Sequence, residues 1–146
     1  MRQLLLISSV LFLALGTSPM LAEYWSGTGD WVAWTEPDGN TVYPWNEWWG
    51  TLVDGSFTGN WEHNNPKYQG GGILYRTFGG SIISYSTPVG GNVTYGYCEG
   101  TWNRSYDGWC QLCGWFTMEF NLTAGTCKGE WASYDGTASG HMTGHR

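Results

Sequence analysis

One spacing of glycine and tryptophan recurs along this chain and limits the folds that it can adopt. It reads GSFTGNW at 55–61, GYCEGTW at 96–102 and GTCKGEW at 125–131, with a weaker copy, GTASGHM, at 136–142. Side chains alternate between the two faces of a β-strand, so each full copy places its glycines and its tryptophan on one face and mostly polar residues on the other. This alternation is typical of antiparallel sheets with one buried and one solvated side.

The glycines of this pattern have an expected role in packing. Glycine inside a strand is normally unfavourable, yet here it recurs on the same face as the large aromatic residues. A missing side chain leaves a hollow in which an aromatic ring from a neighbouring strand can lie. We therefore expect Phe57, Trp61, Trp102 and Trp131 to belong to the core.

Turn signals separate the expected strands. Asp-Gly, which suits two-residue hairpin turns, occurs at 38–39, 54–55, 107–108 and 135–136. The predicted strands lie near 24–35, 41–53, 55–63, 72–78, 81–86, 92–104, 113–122, 125–134 and 136–143. Together they predict an all-β fold, a single-domain antiparallel up-and-down meander of about nine strands. We expect it to form a closed barrel or a strongly curled sheet, because open edges invite aggregation.

The first 22 residues have the pattern of a secretory signal peptide. Arg2 precedes a largely apolar run at 4–15, and small residues follow. The run is shorter than the ~20 apolar residues of a membrane-spanning helix, and a retained N-terminal anchor is the alternative. We expect cleavage after Ala22 (or after Gly16), one domain at 23–146, and a secreted or periplasmic location.

The charge of the mature chain excludes some classes of partner. Without the first 22 residues, five basic residues remain against twelve acidic ones, a net charge of −7. Nothing resembles a basic patch that could neutralise phosphates, so we expect no nucleic-acid partner, and anionic membrane surfaces are disfavoured. After signal cleavage we expect no membrane span, and the oligomeric state is open.

Four cysteines in an exported chain predict two disulfides, for which three pairings exist. They are Cys98, Cys110, Cys113 and Cys127. Cys98 and Cys127 hold the same place in their motifs and are expected to point inward on second-neighbour strands, too far apart for a bond. Cys110 or Cys113 is the alternative partner of Cys98. A structural zinc site at all four thiolates is a further alternative, although only one Cys-x-x-Cys element is present. We expect no other cofactor.

Exposed aromatic residues are the candidates for a binding surface. By alternation, Trp34, Trp115 and Tyr97 fall on the polar faces of their strands, and Trp109 lies in a turn or irregular strand. Aromatic rings beside polar groups can stack on sugar rings or anchor a protein partner. The alternative is that several of them complete a second small core beneath loops.

Carboxylates on the polar face could support glycoside hydrolysis. Glu99, Glu119 and Glu130 lie on three successive predicted strands, and two suitably spaced carboxylates are what this reaction needs. However, the hairpin expected at LTAG places Glu119 opposite Lys128, which indicates an ordinary cross-strand ion pair. A general acid also needs a desolvated cleft rather than a solvated face.

Two short resemblances accompany this pattern. The segments FTGNW, CEGTW and CKGEW resemble the aromatic-x-Gly-x-Trp core of MORN-type repeats, but their copies start at irregular intervals. The hairpin GTLVDGSFTGNW is similar to the strand pairs of avidin-type barrels, a resemblance that implies a small-ligand pocket at one end of a barrel. Each covers too little of the chain to assign a family.

These observations predict an exported, non-enzymatic β-domain. It is expected to act as a binding or surface-structural protein that contacts glycans or a protein partner through exposed aromatic residues. One alternative is a barrel of lipocalin- or avidin-like architecture that holds a small apolar ligand. Another is a small glycoside hydrolase. An interior filled by tryptophan would leave no room for the ligand of the first alternative.

Overall fold

The computed structural model describes residues 21–30, 34–35, 41–42, 45–62, 74–106 and 109–146. These residues form ten strands: β1 Glu23–Asp30, β2 Trp34–Thr35, β3 Thr41–Val42, β4 Glu47–Val53, β5 Ser56–Glu62, β6 Leu74–Ser86, β7 Tyr95–Tyr106, β8 Trp109–Asn121, β9 Thr126–Ser133 and β10 Ser139–His145. No helix in these ranges is long and apolar enough to cross a membrane.

Eight of these strands form a closed antiparallel barrel. Around it the order is β1, β4, β5, β6, β7, β8, β9 and β10, and β10 pairs with β1 to close the sheet. Each barrel strand thus lies beside the barrel strands that precede and follow it in the chain, which is an up-and-down meander. The predicted all-β meander is confirmed in its closed form. β2 and β3 form a separate two-stranded sheet within the connection from β1 to β4.

Some predicted strand boundaries are wrong. The segments at 72–78 and 81–86 belong to one strand, β6, because Gly79 and Gly80 continue its pairing with both neighbouring strands. β1 ends at Asp30, and Trp34 belongs to β2. Cys110, expected to precede the strand at 113–122, lies within β8.

Alternation along the strands fills the barrel with aromatic side chains. Phe57, Trp61, Trp102 and Trp131, the predicted core residues, are each at most 1% exposed. The other large side chains buried to this extent are Trp25, Trp45, Trp48, Phe116, Phe120, Met118 and Met142. An eight-stranded barrel has an interior just wide enough for side chains to fill. In the part of the barrel that the structure describes, this filling disfavours an internal ligand pocket.

The buried tryptophans pack edge to face and satisfy some of their polar atoms. The ring of Trp102 lies 5.5 Å from that of Trp61 and 5.7 Å from that of Trp131, with interplanar angles of 88° and 85°. This geometry suits the quadrupoles of aromatic rings. The indole of Trp61 donates to the carbonyl oxygen of Asn103 (3.2 Å), and that of Trp102 donates to the carbonyl oxygen of Ala132 (3.2 Å).

Glycine pairs on the inner face make room for these rings. Three pairs lie directly opposite each other across neighbouring strands: Gly27–Gly144, Gly50–Gly59 and Gly80–Gly100. One aromatic ring covers each pair: that of Trp48 covers the first, that of Phe78 the second and that of Phe116 the third. A Cβ atom on any of the six glycines would lie within 3 Å of its covering ring. The predicted packing role of the strand glycines is therefore confirmed.

Trp45 enters the barrel from the connection between β1 and β4. Its side chain is fully buried, and its ring centroid lies 5.1 Å from that of Phe78 and 5.8 Å from that of Phe116. Its backbone has a φ of 59°, a left-handed conformation that non-glycine residues rarely adopt. The amide of Gly29 donates to the carbonyl oxygen of Trp45, which anchors the connection to β1.

At the opposite end of the barrel, Arg146 joins three parts of the chain. Its guanidinium forms an ion pair with Glu23 of β1 and donates to the carbonyl oxygen of Leu122 at 2.8 Å. It also lies 5.7 Å from the ring of Trp25, within reach of a cation–π interaction. Arg146 therefore holds the seam at which the barrel closes.

Candidate functional site

The structure describes two of the four predicted binding aromatics in full. Trp115 and Tyr97 point outward, as the alternation predicts, and are 42% and 37% exposed. The backbones of Trp34 and Trp109 lie in β2 and β8, but their side chains are outside the described residues. The candidate site is therefore built on Trp115 and Tyr97.

Both rings belong to one outward surface, which we name the charged face. It is formed by the outward residues of β7 to β10: Tyr97, Glu99, Trp115, Thr117, Glu119, Lys128, Glu130 and His141. The strand register places them in rows, with Tyr97, Glu119 and Lys128 in one row. Glu99, Thr117, Glu130 and His141 form the next row, and Trp115 lies in the row beyond.

Cross-strand pairs of polar side chains, one of them an ion pair, organise this face. Lys128 Nζ lies 3.4 Å from Glu119 Oε1, so the predicted pairing of these two residues is confirmed. Glu130 Oε1 lies 3.9 Å from His141 Nε2 on the adjoining strand. Lys128, Glu130 and His141 are largely exposed and Glu119 is partly exposed, and solvent-exposed pairs of this kind contribute little to stability. Their polar groups are therefore accessible to a ligand.

A shallow groove crosses the charged face. It has a volume of about 500 Å³, and Tyr97, Thr117, Glu130 and His141 are among the residues that line it. It combines an aromatic ring with hydroxyl, carboxylate and imidazole groups. Such a groove can hold a polar ligand that also presents an apolar surface, because ring and polar groups converge on the same space.

The prediction of two disulfides is wrong. Cys98 and Cys127 point into the barrel, as predicted, but both are free thiols. Burial raises the pKa of each thiol to about 12, and the charge of Glu99 adds to the effect at Cys98. Cys113 is disulfide-bonded, and the side chain of Cys110 is outside the described residues. The two inner thiols therefore behave as small apolar core groups.

The strand register also separates the cysteines along β8. Cys98 pairs with Met118 and Cys127 with Phe120, five and seven residues from Cys113. At ~3.3 Å per residue these offsets exceed ~16 Å, whereas zinc binds sulfur at about 2.3 Å. One zinc ion therefore cannot bind Cys113 together with either inner thiol. Within the described ranges, no three His, Cys, Asp or Glu side chains are grouped to hold a metal ion.

Two arginines point into the barrel at the Trp45 end, and the sequence analysis missed them. Arg76 and Arg104 lie directly opposite each other on β6 and β7 and are buried. Burial lowers the pKa of Arg76, the charge of Arg104 lowers it further, and Glu62 opposes both effects. The alternation of side chains could have predicted the inward position of Arg76, because it lies two residues from Phe78 and therefore on the same face of β6.

The sequence analysis also missed two outward aromatic residues on the other side of the barrel. Tyr24 and Trp49 are 76% and 44% exposed, on β1 and β4. The alternation around the buried Trp25 and Trp48 places both of them outward.

The turn between β9 and β10 is held by one carboxylate. Asp135 accepts hydrogen bonds from the hydroxyl of Ser133 (2.6 Å) and from the amide (3.0 Å) and hydroxyl (2.7 Å) of Thr137. These bonds, that of Ser133 first, lower the pKa of Asp135 to about 2. The turn is therefore stabilised by the ionised form of this side chain.

Comparison with known proteins gives no family for the chain, since it matches no protein-family model, no curated protein and no solved structure.

Proposed function

We propose that this chain is an exported, non-catalytic glycan-binding domain and that its charged face contacts the ligand. The observation that carries the proposal is the position of Trp115 and Tyr97, two partly exposed rings on a face rich in hydroxyl, carboxylate and amino groups. Aromatic rings stack on the apolar faces of sugars, and the polar groups hydrogen-bond to sugar hydroxyls. The filled barrel interior supports binding on the outer surface.

The spacing of the two rings supports an extended ligand. Tyr97 is opposite Glu119, which lies four residues from Trp115 along β8. At ~3.3 Å per residue the rings are about 13 Å apart along the strand, too far to enclose one sugar ring between them. Each ring contacts a separate unit of a glycan chain that runs along the strands, over Thr117 and Glu99.

Affinity measurements on aromatic variants test this proposal. A glycan array identifies a ligand, and titration then compares wild type with Trp115→Ala and Tyr97→Ala. Tyr85→Ala is the matched control, because Tyr85 of β6 is 60% exposed and its ring lies against the inward position Gly96, away from the charged face. We expect each of the first two variants to bind about tenfold more weakly, as for aromatic hot spots in interfaces, and the control to be unchanged.

Two results would contradict the proposal. One is that Trp115→Ala and Tyr97→Ala bind glycans as well as the Tyr85→Ala control does. The other is binding to a protein that persists after its glycans are removed enzymatically, which would favour a protein partner instead. Circular dichroism of each variant establishes that the barrel is intact.

The non-catalytic part of the proposal has its own test. Wild type is incubated with the glycans that it binds, and reducing ends are measured. We expect none to appear, because Glu119 is paired with Lys128 on a solvated surface. Release of reducing sugar that is lost in Glu99→Gln or Glu119→Gln would show that the domain is a hydrolase.

The export of the chain is tested by N-terminal sequencing. We expect the protein recovered outside the producing cells to begin at Glu23, because small residues precede this position in a signal-peptide pattern. Recovery of a chain that begins at Met1 would contradict export by cleavage.

A further inference from the structure

A second outward surface, which we name the neutral face, lies on β1, β4, β5 and β6. The strand register places its residues in two rows: Tyr24, Thr51, Thr58 and Gly79, and beside them Ser26, Trp49, Asn60 and Thr77. A groove of about 360 Å³ crosses both rows from Tyr24 and Trp49 to Thr77, and Gly79 lies beside its lining residue Thr58. The exposed rings of Tyr24 and Trp49 lie at its β1–β4 end.

The two rings of this face are close enough to act together. Tyr24 is opposite Thr51, two residues from Trp49 on the same strand, so the two aromatic residues are diagonal neighbours. Diagonal neighbours on one face are about 7–8 Å apart. Unlike Tyr97 and Trp115, they can contact adjoining parts of one ligand.

Gly79 is unusual among the strand glycines because it points outward. At the inward glycines Gly59 and Gly80, an added Cβ would lie within 3 Å of backbone and ring atoms. At Gly79 the nearest atom would be Thr58 Cγ2 at 3.8 Å, which is ordinary contact. Core packing therefore does not require glycine there, although glycine weakens a strand. Glycine in a strand can mark a place where a ligand approaches the backbone closely.

The absence of charge on this face indicates the class of ligand. Within the two described rows the side chains are hydroxyl, amide or aromatic groups. The nearest acidic pair, Glu47 and Glu62, lies one row further along β4 and β5. The chain as a whole has a net charge of −6, so an uncharged patch suits an uncharged ligand. Thr58, Asn60 and the two rings supply the groups that bind sugars.

We propose that the neutral face is a second glycan-binding site, specific for uncharged oligosaccharides. Tyr24 and Trp49 stack on sugar rings, Thr58 and Asn60 hydrogen-bond to sugar hydroxyls, and Gly79 leaves room for the sugar to lie against β6. β4 and β5 are four strands away from β8 and β9 in the eight-stranded barrel, so the neutral and charged faces point in opposite directions. If the charged face binds glycans as proposed above, one barrel joins two glycan chains.

Binding assays with variants of the neutral face test this inference. The probes are immobilised cello-, manno- and xylo-oligosaccharides, with oligogalacturonides as acidic counterparts. We expect Trp49→Ala and Gly79→Val each to weaken binding of the neutral probes about tenfold. Tyr134→Ala is the matched control, because Tyr134 is 65% exposed in the turn between β9 and β10, away from the neutral face. Gly79→Val is the sharper variant, because a Cβ atom there meets only Thr58 Cγ2 and valine favours strands. We therefore expect it to raise the midpoint of thermal unfolding while it obstructs the ligand.

The outcomes separate this inference from the proposed function. Loss of neutral-probe binding in Trp49→Ala and Gly79→Val supports the neutral face, even if Trp115→Ala has no effect and the charged-face proposal fails. Wild-type binding of the neutral probes by both neutral-face variants would overturn the inference, whatever Trp115→Ala does. If both faces bind the same soluble neutral polysaccharide, wild type cross-links and precipitates it, whereas Trp49→Ala binds it without precipitation.

Discussion

The substitution Gly59→Ala tests the packing of the barrel interior most directly. Gly59 lies opposite Gly50, and both are covered by the ring of Phe78. A Cβ atom at Gly59 would be 2.5 Å from Phe78 Cζ and 2.6 Å from Gly50 Cα, and closer still to the carbonyl oxygen of Trp49. Two of these three neighbours are backbone atoms, so no flexible side chain can move away to relieve the contact.

The expected cost follows from this crowding. Overpacking a well-filled core costs about 1–3 kcal/mol and sometimes more, and backbone clashes on two sides place Gly59→Ala at the upper end. The lower entropy of alanine in the unfolded chain offsets only about 0.5–1 kcal/mol. We expect a net loss of about 2 kcal/mol or more. In a domain of this size that loss lowers the midpoint of thermal unfolding by roughly 8 °C or more.

Gly79→Ala is the matched control, since it makes the same chemical change on the outer face of the next strand. Its Cβ would have only Thr58 Cγ2 near it, at 3.8 Å, so we expect unchanged or slightly raised stability. Urea and thermal unfolding, followed by tryptophan fluorescence, measure both variants. If Gly59→Ala destabilises the domain no more than Gly79→Ala does, the packing role of the inner glycines is refuted.

Three further predictions concern single groups. The ionised form of Asp135 stabilises the fold, so wild type should be more stable than Asp135→Asn above about pH 4, and this advantage should disappear as the pH falls towards about 2. Thermal unfolding across this pH range measures the difference, and a difference that does not vary with pH would contradict the prediction. Cys98 and Cys127 are buried thiols with pKa values near 12, so iodoacetamide at pH 8 should leave both unmodified in the native protein and should label both in urea. Mass spectrometry detects the label, and labelling without urea would show that the barrel opens. Arg146→Ala removes the contacts to Glu23 and the barrel end, and it should lower the free energy of unfolding by about 1 kcal/mol in low salt and by less in 1 M NaCl, because the ion pair is partly exposed. An equal loss of stability at both salt concentrations would mean that the ion pair contributes nothing.

The sequence correctly predicted those strands in which the two-residue alternation of inward and outward side chains runs through the whole strand. The inward positions of β5, β7 and β9 are correct because each carries a full copy of the glycine–tryptophan motif. The pairing of Glu119 with Lys128 is correct because a short turn fixes the register of its hairpin. Local periodicity and turn chemistry were sufficient for these features.

Features that depend on distant contacts were not predictable in this way. Gly79 and Gly80 suggested a break between two strands, but Phe116 packs against Gly80 from β8 and the strand continues. Trp45 lies outside any strand, and its burial depends on a left-handed backbone and on rings from several strands. The state of Cys98 depends on which thiols the closed barrel brings together. Each outcome required knowledge of the closed sheet.

Closure of the barrel by β1 and β10 has a consequence for how the chain folds. The other barrel pairings join consecutive barrel strands, whereas this one brings Ser26 beside His145 and requires nearly the whole domain to be in place. Contacts between distant parts of a sequence slow folding, because the entropy of a long loop is lost before the contact forms. Until β10 docks, both end strands present unpaired edges that can join another chain. We therefore expect the yield of refolding to fall with increasing protein concentration, and the last strand to be the step that competes with aggregation.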